Sequence, residues 1–338
     1  MSKKKRVLTG ITTSGIPHLG NLAGAILPAI KASRDKSTES FLFLADYHSL
    51  IKNNNPDLTH DSSFEIAACW LACGLDSKEV IFYRQSDIPH TMELAWVLSC
   101  LTSKGLMNRA HAYKAALSEN EMKKNKDLDK GITMGLFNYP ILMSADILMF
   151  NADIVPVGQD QKQHVEMTRD IASRFNHHYG EIFTIPTVSI EKDAGVLPGI
   201  DGRKMSKSYK NVIPIFLDKE ELRKKIMKIK TDSKEPGERK ETENSSIFSI
   251  YRAFASKEQT KSLQVLYKEG VAWSEAKELL FELLENKIKP LRQNYKELIK
   301  DKANLEKTLL LGAEKALDIS TPIINQVRKA VGIRSFGD

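Results

Sequence analysis

The sequence predicts an α/β fold, a doubly wound parallel sheet with a helical C-terminal domain, on three observations. Short apolar runs alternate with amphipathic stretches through the first half, as parallel strands with helical crossovers require. The runs end in polar or flexible residues, Gly10-Ile11-Thr12-Thr13-Ser14, Asp46-Tyr47-His48 and Arg84-Gln85, where open α/β sheets place their ligands. From Phe248 onward the pattern is helical to the end.

In order, Val7–Ile11 reads as a strand and Leu19–Lys31 as a helix. Phe41–Ala45 is a strand whose apolar run stops at Asp46, Asp61–Cys73 a helix, Val80–Tyr83 a strand and Met92–Leu101 a helix. Residues 104–150 are helical, with a very polar piece over Ser118–Lys130, and read as an insertion between the halves of the sheet. Sheet logic resumes at Ile154–Val157 and a helix over Gln159–Tyr179. Glu191–Lys210 is loop-like, and Thr231–Ser246, almost without apolar residues, reads as a mobile surface loop. Helices are expected over Glu275–Leu284, Pro290–Lys300, Asn304–Leu317 and Pro322–Val331. The division is therefore a sheet domain over 1–214, including the 104–150 insertion, and a helical domain over 215–338.

The 338 residues suffice for one large domain or two modest ones, and 41% apolar with 28% charged residues is ordinary for a soluble protein. No apolar run approaches the roughly 18–20 residues that span a bilayer. Lys3-Lys4-Lys5-Arg6 precedes an apolar stretch too short for a signal peptide, so a cytoplasmic protein without membrane partners is expected. A net charge of +7 permits a polyanionic partner without demanding one. Cys69, Cys73 and Cys100 form no Cys-x2-Cys pair; Cys69 and Cys73, four apart in an apolar helical stretch, read as buried thiols, and no protein-bound metal is expected.

Two widely separated segments carry the chemistry. Pro17-His18-Leu19-Gly20-Asn21 sits between the first strand and its helix. Gly10, Ser14, Gly15 and Gly20 let backbone approach a ligand, the helix start offers free N–H groups to phosphate, and His18 can donate to a phosphate oxygen that gains charge. Lys204-Met205-Ser206-Lys207-Ser208 follows Gly199, Asp201, Gly202 and Arg203. Lys204 and Lys207 can face one triphosphate, with Ser206 and Ser208 hydroxyls on its oxygens and the glycines allowing the loop to close. A third element, Tyr139, Met143 and Asp146, shares one helix face, and an acid on an apolar face needs a donor.

The first two segments together resemble the signature pair of the class I aminoacyl-tRNA synthetases, which have a Rossmann-like catalytic domain. Asn21 stands where many members carry a second histidine, a replacement seen in the tryptophan branch. Tyr139–Asp146, followed by Gly158-Gln159-Asp160-Gln161-Lys162-Gln163-His164, resembles the tryptophanyl-tRNA synthetases. The intact lysine loop and the length favour their bacterial type.

That resemblance implies ATP-dependent activation of L-tryptophan and its transfer to tRNA(Trp), with Mg2+ carried on the ATP phosphates. It implies catalytic roles for His18, Lys204 and Lys207, Lys207 for transition-state charge and Lys204 for ground-state holding. ATP would meet Thr12, Thr13, Ser14, Gly20, Asn21, Gly158, Gln159, Asp160, Val196, Met205, Ser206 and Ser208. Asp146 would accept the indole N–H, and Tyr139 and Gln161 would hold the amino group. Leu8, Gly10, His48, Met143, Val155 and Val157 would line the rest of that pocket. An indole has one donor and no acceptor, so an acidic partner suits it; tyrosine is the nearest competing substrate.

Thr12-Thr13-Ser14 departs from the commoner Gln-Pro-Ser of the family, with fewer atoms to reach the ligand. No cysteine cluster suggests the iron–sulfur site of some relatives. The family implies a homodimer, with apolar residues of 92–150 as its interface. Lys289, Arg292, Lys296, Lys300, Lys315, Arg328 and Lys329 are candidates for the tRNA anticodon stem, each also readable as a solvated side chain.

Overall fold

The computed structural model describes residues 4–13, 15, 17–190 and 197–337. Five parallel strands, β1 (Lys5–Thr12), β2 (Thr38–Ala45), β3 (Ile81–Arg84), β4 (Ile154–Val157) and β5 (Thr187–Ile190), form one sheet in the order β3-β2-β1-β4-β5. The chain builds outward from β1 to β3, then returns to lay β4 on the free side of β1, where Val7 pairs with Ile154. The order reverses there, opening a crevice at the carboxyl ends of the strands.

β2 shows why the sheet is legible in sequence. Phe41 through Ala45 are all buried, the continuous apolar run of a strand covered on both faces. Alternate side chains divide between two cores: Leu42 and Leu44 pack with Ile11 and Phe82, whereas Phe41 and Phe43 pack with Leu8 and Tyr83. β5 carried no strand expectation. Its residues alternate between exposed and half-buried, so an edge strand lacks the apolar signal that marks an inner one.

The helix expected over Leu19–Lys31 is interrupted by a π-helical turn, Leu22–Ile26, between Leu19–Asn21 and Leu27–Ala32. Such a turn inserts a residue and widens the helix locally. Helices Lys104–Met107, His111–Met122 and Met134–Leu148 occupy the stretch between β3 and β4.

Two expected helix breaks are absent. Trp273–Leu298 and Lys302–Ala330 run unbroken through Pro290 and Pro322. A proline inside a helix costs about 3 kcal/mol, and a fully buried aliphatic side chain returns about 1.5–3 kcal/mol. Leu280, Leu284 and Ile288 lie buried before Pro290, and Ala316, Ile323 and Ile324 lie buried around Pro322, so packing outweighs the break.

The last helix covers the free edge of β3. A Cβ at Gly312 would stand 1.8 Å from the Phe82 carbonyl oxygen, so the helix reaches the strand backbone only through glycine. Leu305 and Leu309 enter one core and Ala313, Ile323 and Val327 the other. The C-terminal helices thus share both cores with the sheet, and packing is continuous across residue 215.

The segment Thr231–Ser246 is a loop but is tied down. Lys240 is buried, donating to the carbonyls of Glu235 and Glu238, and its Nζ lies 5.4 Å from the centre of the Trp273 ring. Gly237 N–H donates to Gly270 O at 2.7 Å, and Ser245 Oγ lies 2.9 Å from Tyr267 Oη. Polar composition alone suggested mobility; these tertiary contacts, invisible in sequence, supply the anchor.

Candidate active site

A cavity of about 740 Å3 opens at the carboxyl end of β1. Its walls include Gly10, Thr12, His18, Gly20 and Asn21 from the first motif, and Lys204 through Tyr209 from the second. Residues nearly two hundred apart therefore face one space. The segments are pinned by short antiparallel pairing: Leu19 N–H donates to Ile213 O at 2.9 Å, and Ile215 N–H to Pro17 O at 3.2 Å.

His18 caps its helix reciprocally with Asn21. Asn21 N–H donates to His18 Nδ1 at 3.4 Å, and His18 N–H donates to Asn21 Oδ1 at 3.0 Å. Burial, followed by the nearby Lys207 charge, lowers the His18 pKa to about 4, so the imidazole is neutral near pH 7. With Nδ1 accepting, the ring proton resides on Nε2, leaving that N–H to donate to a ligand. Partial desolvation lowers the Lys207 pKa as well. A Cβ at Gly15, whose φ is +64°, would stand 3.2 Å from Lys207 Nζ, so the glycine leaves the ammonium its place.

A second polar group surrounds Asp146 and does not line this cavity. Asp146 is 2% exposed; His48 Nε2 lies 2.9 Å from Oδ2, and Gln85 Nε2 donates to Oδ1 at 2.8 Å and Oδ2 at 3.0 Å. Burial raises its pKa more than these partners lower it. Among the described residues Gln85 Oε1 has no partner, leaving a second buried acceptor in the cluster. An unsatisfied buried acceptor costs about 1–3 kcal/mol, which an arriving donor would recover.

On the same helix Tyr139 Oη lies 2.7 Å from His164 Nε2, and His164 Nδ1 lies 3.0 Å from Gln161 Oε1. His164 is buried, and its pKa falls to about 4, chiefly by desolvation. A neutral imidazole has one donor and one acceptor. With Nδ1–H donating to the carboxamide oxygen, Nε2 accepts from the Tyr139 hydroxyl. The Tyr139 oxygen then presents only lone pairs to anything else. Gln161 Nε2 is occupied by Asp160 Oδ2 at 2.9 Å.

The other expected site residues fall in distinct places. Leu8, Val155, Met143 and Val157 pack in the core on the Phe43 side of the sheet, and a Cβ at Gly10 would stand 3.1 Å from the Phe43 ring. Thr12 lines the cavity, but Thr13 is buried with its hydroxyl donating to Ala45 O at 3.4 Å. Gly158, Gln159 and Asp160 are exposed and lie outside the cavity lining. Ser14 and Val196 fall outside the described residues; Leu197, beside Val196, lines the cavity. Of the candidate basic residues, Arg292 is buried against Glu285, while Lys296 and Arg328 pair with Asp218 and Glu93.

Sequence reasoning missed Gln85, His164, Ile66 and Trp70 as parts of these two sites. Gln85 ends β3, the position where a ligand group is expected, and that was its one signal. Ile66 and Trp70 line the cavity from the helix Pro56–Ala72, where they read as ordinary core. Cys69 and Cys73, from the same helix, are buried thiols, as expected. No group of three or more His, Cys, Asp or Glu among the described residues could hold a metal ion, and no helix among them is long and apolar enough to cross a membrane.

Comparison with known proteins completes the picture. The model of the class I tRNA synthetases (W and Y) matches residues 1–289. A tryptophan–tRNA ligase of Neisseria meningitidis is 54% identical over 331 residues, covering 98% of each chain. One from Xanthomonas campestris is 54% identical over 338 residues, covering 99% of this chain and 78% of its own. The crystal structure of tryptophanyl-tRNA synthetase from Campylobacter jejuni, complexed with ADP and tryptophan, superimposes with a TM-score of 0.87 at 39% identity, covering 97% of this chain and 99% of that one.

Proposed function

The chain belongs to the class I tRNA synthetases, among the tryptophan–tRNA ligases, and from that premise we propose how its residues divide the reaction. The enzyme activates L-tryptophan with ATP, releasing pyrophosphate, and transfers the tryptophanyl group to the 3′ end of tRNA(Trp). The observation that carries the division of labour is the convergence of the His18 and Lys204–Ser208 segments on one cavity.

In the first step a tryptophan carboxylate oxygen attacks the α-phosphorus of ATP. That bond forms as the bond to the pyrophosphate oxygen breaks, and negative charge moves onto the β- and γ-phosphates. His18, neutral and protonated at Nε2, donates to an α-phosphate oxygen. Lys204 holds the triphosphate, and Lys207 meets the charge that develops on the leaving group. Thr12, Gly20, Asn21, Met205, Ser206 and Ser208 shape the nucleotide site from the cavity wall. Among the described residues the walls offer ammonium, hydroxyl and imidazole groups and no carboxylate, a set that suits Mg2+ carried on the nucleotide.

Asp146 accepts the indole N–H while His48 and Gln85 hold its carboxylate in place. The ligand's ammonium donates to the Tyr139 hydroxyl oxygen and to Gln161 Oε1, both left as acceptors by His164. Leu8, Gly10, Met143, Val155 and Val157 supply the apolar wall. Gly158, Gln159, Asp160, Ser14 and Val196 are retained as nucleotide contacts on the family resemblance alone, whereas buried Thr13 spends its hydroxyl on Ala45 O.

Residues 1–214 are the catalytic part and 215–338 the part that meets the tRNA anticodon stem. Lys289, Lys300, Lys315 and Lys329 remain exposed for phosphate contact, whereas buried Arg292 does not. Exposed Met92 and Trp96, four apart on the helix Pro89–Leu101, support a homodimer joined through 92–150. A cytoplasmic location accords with the translation role.

Exchange of labelled pyrophosphate into ATP tests the reading. Exchange is expected with tryptophan; none with any amino acid, or exchange with tyrosine alone, would overturn it.

A further inference from the structure

The lysine loop is two short turns closed around one carboxamide. Gly199 N–H donates to Arg203 O at 2.7 Å and Met205 N–H to Leu197 O at 2.8 Å, with Gly202, at φ +87°, making the bend. Beyond Ser206 a single tight turn, Lys207–Tyr209, leads to Lys210 in the left-handed region. Backbone bonds tie each turn to itself. Asn211 links the two through hydrogen bonds to both.

Asn211 is 1% exposed and uses both ends of its side chain. Its Oδ1 accepts from Ser206 N–H at 2.8 Å, while Nδ2 donates to Lys204 O at 3.0 Å and Asp201 Oδ1 at 2.7 Å. Two of its partners belong to the backbone on either side of Met205. A carboxamide alone among side chains combines a donor and an acceptor at this spacing. Gly199 makes the room: a Cβ there would stand 2.4 Å from Asn211 Cγ. Asp201 is itself held by Arg203, whose guanidinium lies 4.4 Å from the centre of the Tyr209 ring on the loop's outer side.

We propose that Asn211 is a positioning residue, which fixes the loop backbone so that Lys204 and Lys207 reach the nucleotide cavity from a set distance; this rests on the reading above in which those lysines act on the phosphates. Asn211 touches no reacting atom. It acts through the lysines by sparing the loop the search for its working shape. Misplacement by about 1 Å can cost on the order of a hundredfold in rate, so loosening this anchor is expected to lower turnover rather than amino-acid binding.

The test is a double-mutant cycle in the full-length protein, read by tryptophan-dependent pyrophosphate exchange. N211D keeps the shape and the bond from Ser206 but turns the donor into a carboxylate facing Asp201. The expected result is a kcat lower by about a hundredfold with the tryptophan KM unchanged, and a lower melting temperature because the new carboxylate is buried against Asp201. Added to K207A, it should cost clearly less than it costs alone, because the part of its effect that runs through Lys207 is already lost while the part that runs through Lys204 remains. Wild-type turnover in N211D, or full additivity with K207A, would overturn the proposal.

Hydrogen exchange of the peptide spanning Ser206 in the ligand-free protein gives a reading independent of activity. That amide is expected to exchange slowly in the wild type and fast in N211A; equal rates would also overturn the proposal. Should N211D fold poorly, D201A removes the same donor's partner from the half-exposed side, with about a tenfold loss of kcat expected and no loss refuting it. Absence of exchange in the wild type would instead sink the functional reading, while the hydrogen-exchange comparison still decides the role of Asn211.

Discussion

The nucleotide cavity and the cluster around Asp146 lie at the same end of the sheet but are built on opposite principles. The cavity is walled by backbone, glycines and long cationic side chains, and Lys204, Lys207 and Ser208 are exposed. The cluster is buried, and its polar atoms are largely committed to one another before any ligand arrives. A triphosphate carries several charges that move during reaction, so a wall of adjustable cations suits it. An indole offers one N–H on a large apolar ring. Only a fixed acceptor in a dry pocket distinguishes it from rings that lack the donor.

The sharpest way to break this contrast is Asp146→Ala. If the carboxylate selects the ring, the preference for tryptophan over phenylalanine should collapse by about 10⁴-fold, while the KM for ATP stays near the wild-type value. Pyrophosphate exchange with each amino acid measures both quantities. Equal losses for tryptophan and ATP would make Asp146 a structural residue, because His48 and Gln85 would have lost their shared partner.

Lys207→Ala tests the other half and should be smaller. Loss of one charge-stabilising donor lowers kcat by about 10²–10³-fold. Tryptophan binding, followed by equilibrium dialysis, is expected to remain unchanged. A comparable weakening of tryptophan binding would erase the distinction between the regions.

The smallest expected effect concerns pH. Burial lowers both His18 and His164 from 6.5 to about 4, so the unfolded chain binds more protons than the fold between those values. Stability from the neutral imidazoles is therefore complete above pH 6.5 and is lost as pH falls towards 4. Asp146, raised by burial, acts in the opposite sense, contributing below its unfolded 3.8 and losing that contribution as pH rises through its folded pKa. Thermal melts across this window should show a shallower fall for His164→Gln than for the wild type, by about 2–4 °C. Identical slopes would mean that His164 is not held neutral.

Sequence and structure contributed unequally to the two regions. The motif at His18 and the lysine loop were both legible, because phosphate chemistry demands glycines, lysines and a helix start in consecutive order. Asp146, Tyr139 and Gln161 were put forward through helical spacing and family resemblance. Gln85 was read only as a strand-end residue and His164 only as the last residue of the Gly158–His164 stretch; neither was given a role, since their partners Asp146 and Tyr139 lie 61 and 25 positions away. The edge strand Thr187–Ile190 escaped for a similar reason, its weak apolar signal reflecting a half-covered place in the sheet.

By itself, the sequence determined the parallel sheet, the helical C-terminal half, the two motifs at His18 and Lys204–Ser208 and the family. Each rests on local periodicity or on residues close together in the chain. Tertiary structure alone decided which segments face each other: the pinning of Pro17–Leu19 to Ile213–Ile215, the relay from Tyr139 through His164 to Gln161, and the continuous helices through Pro290 and Pro322. Those outcomes depend on burial, and burial is set by what the rest of the chain places on the other side.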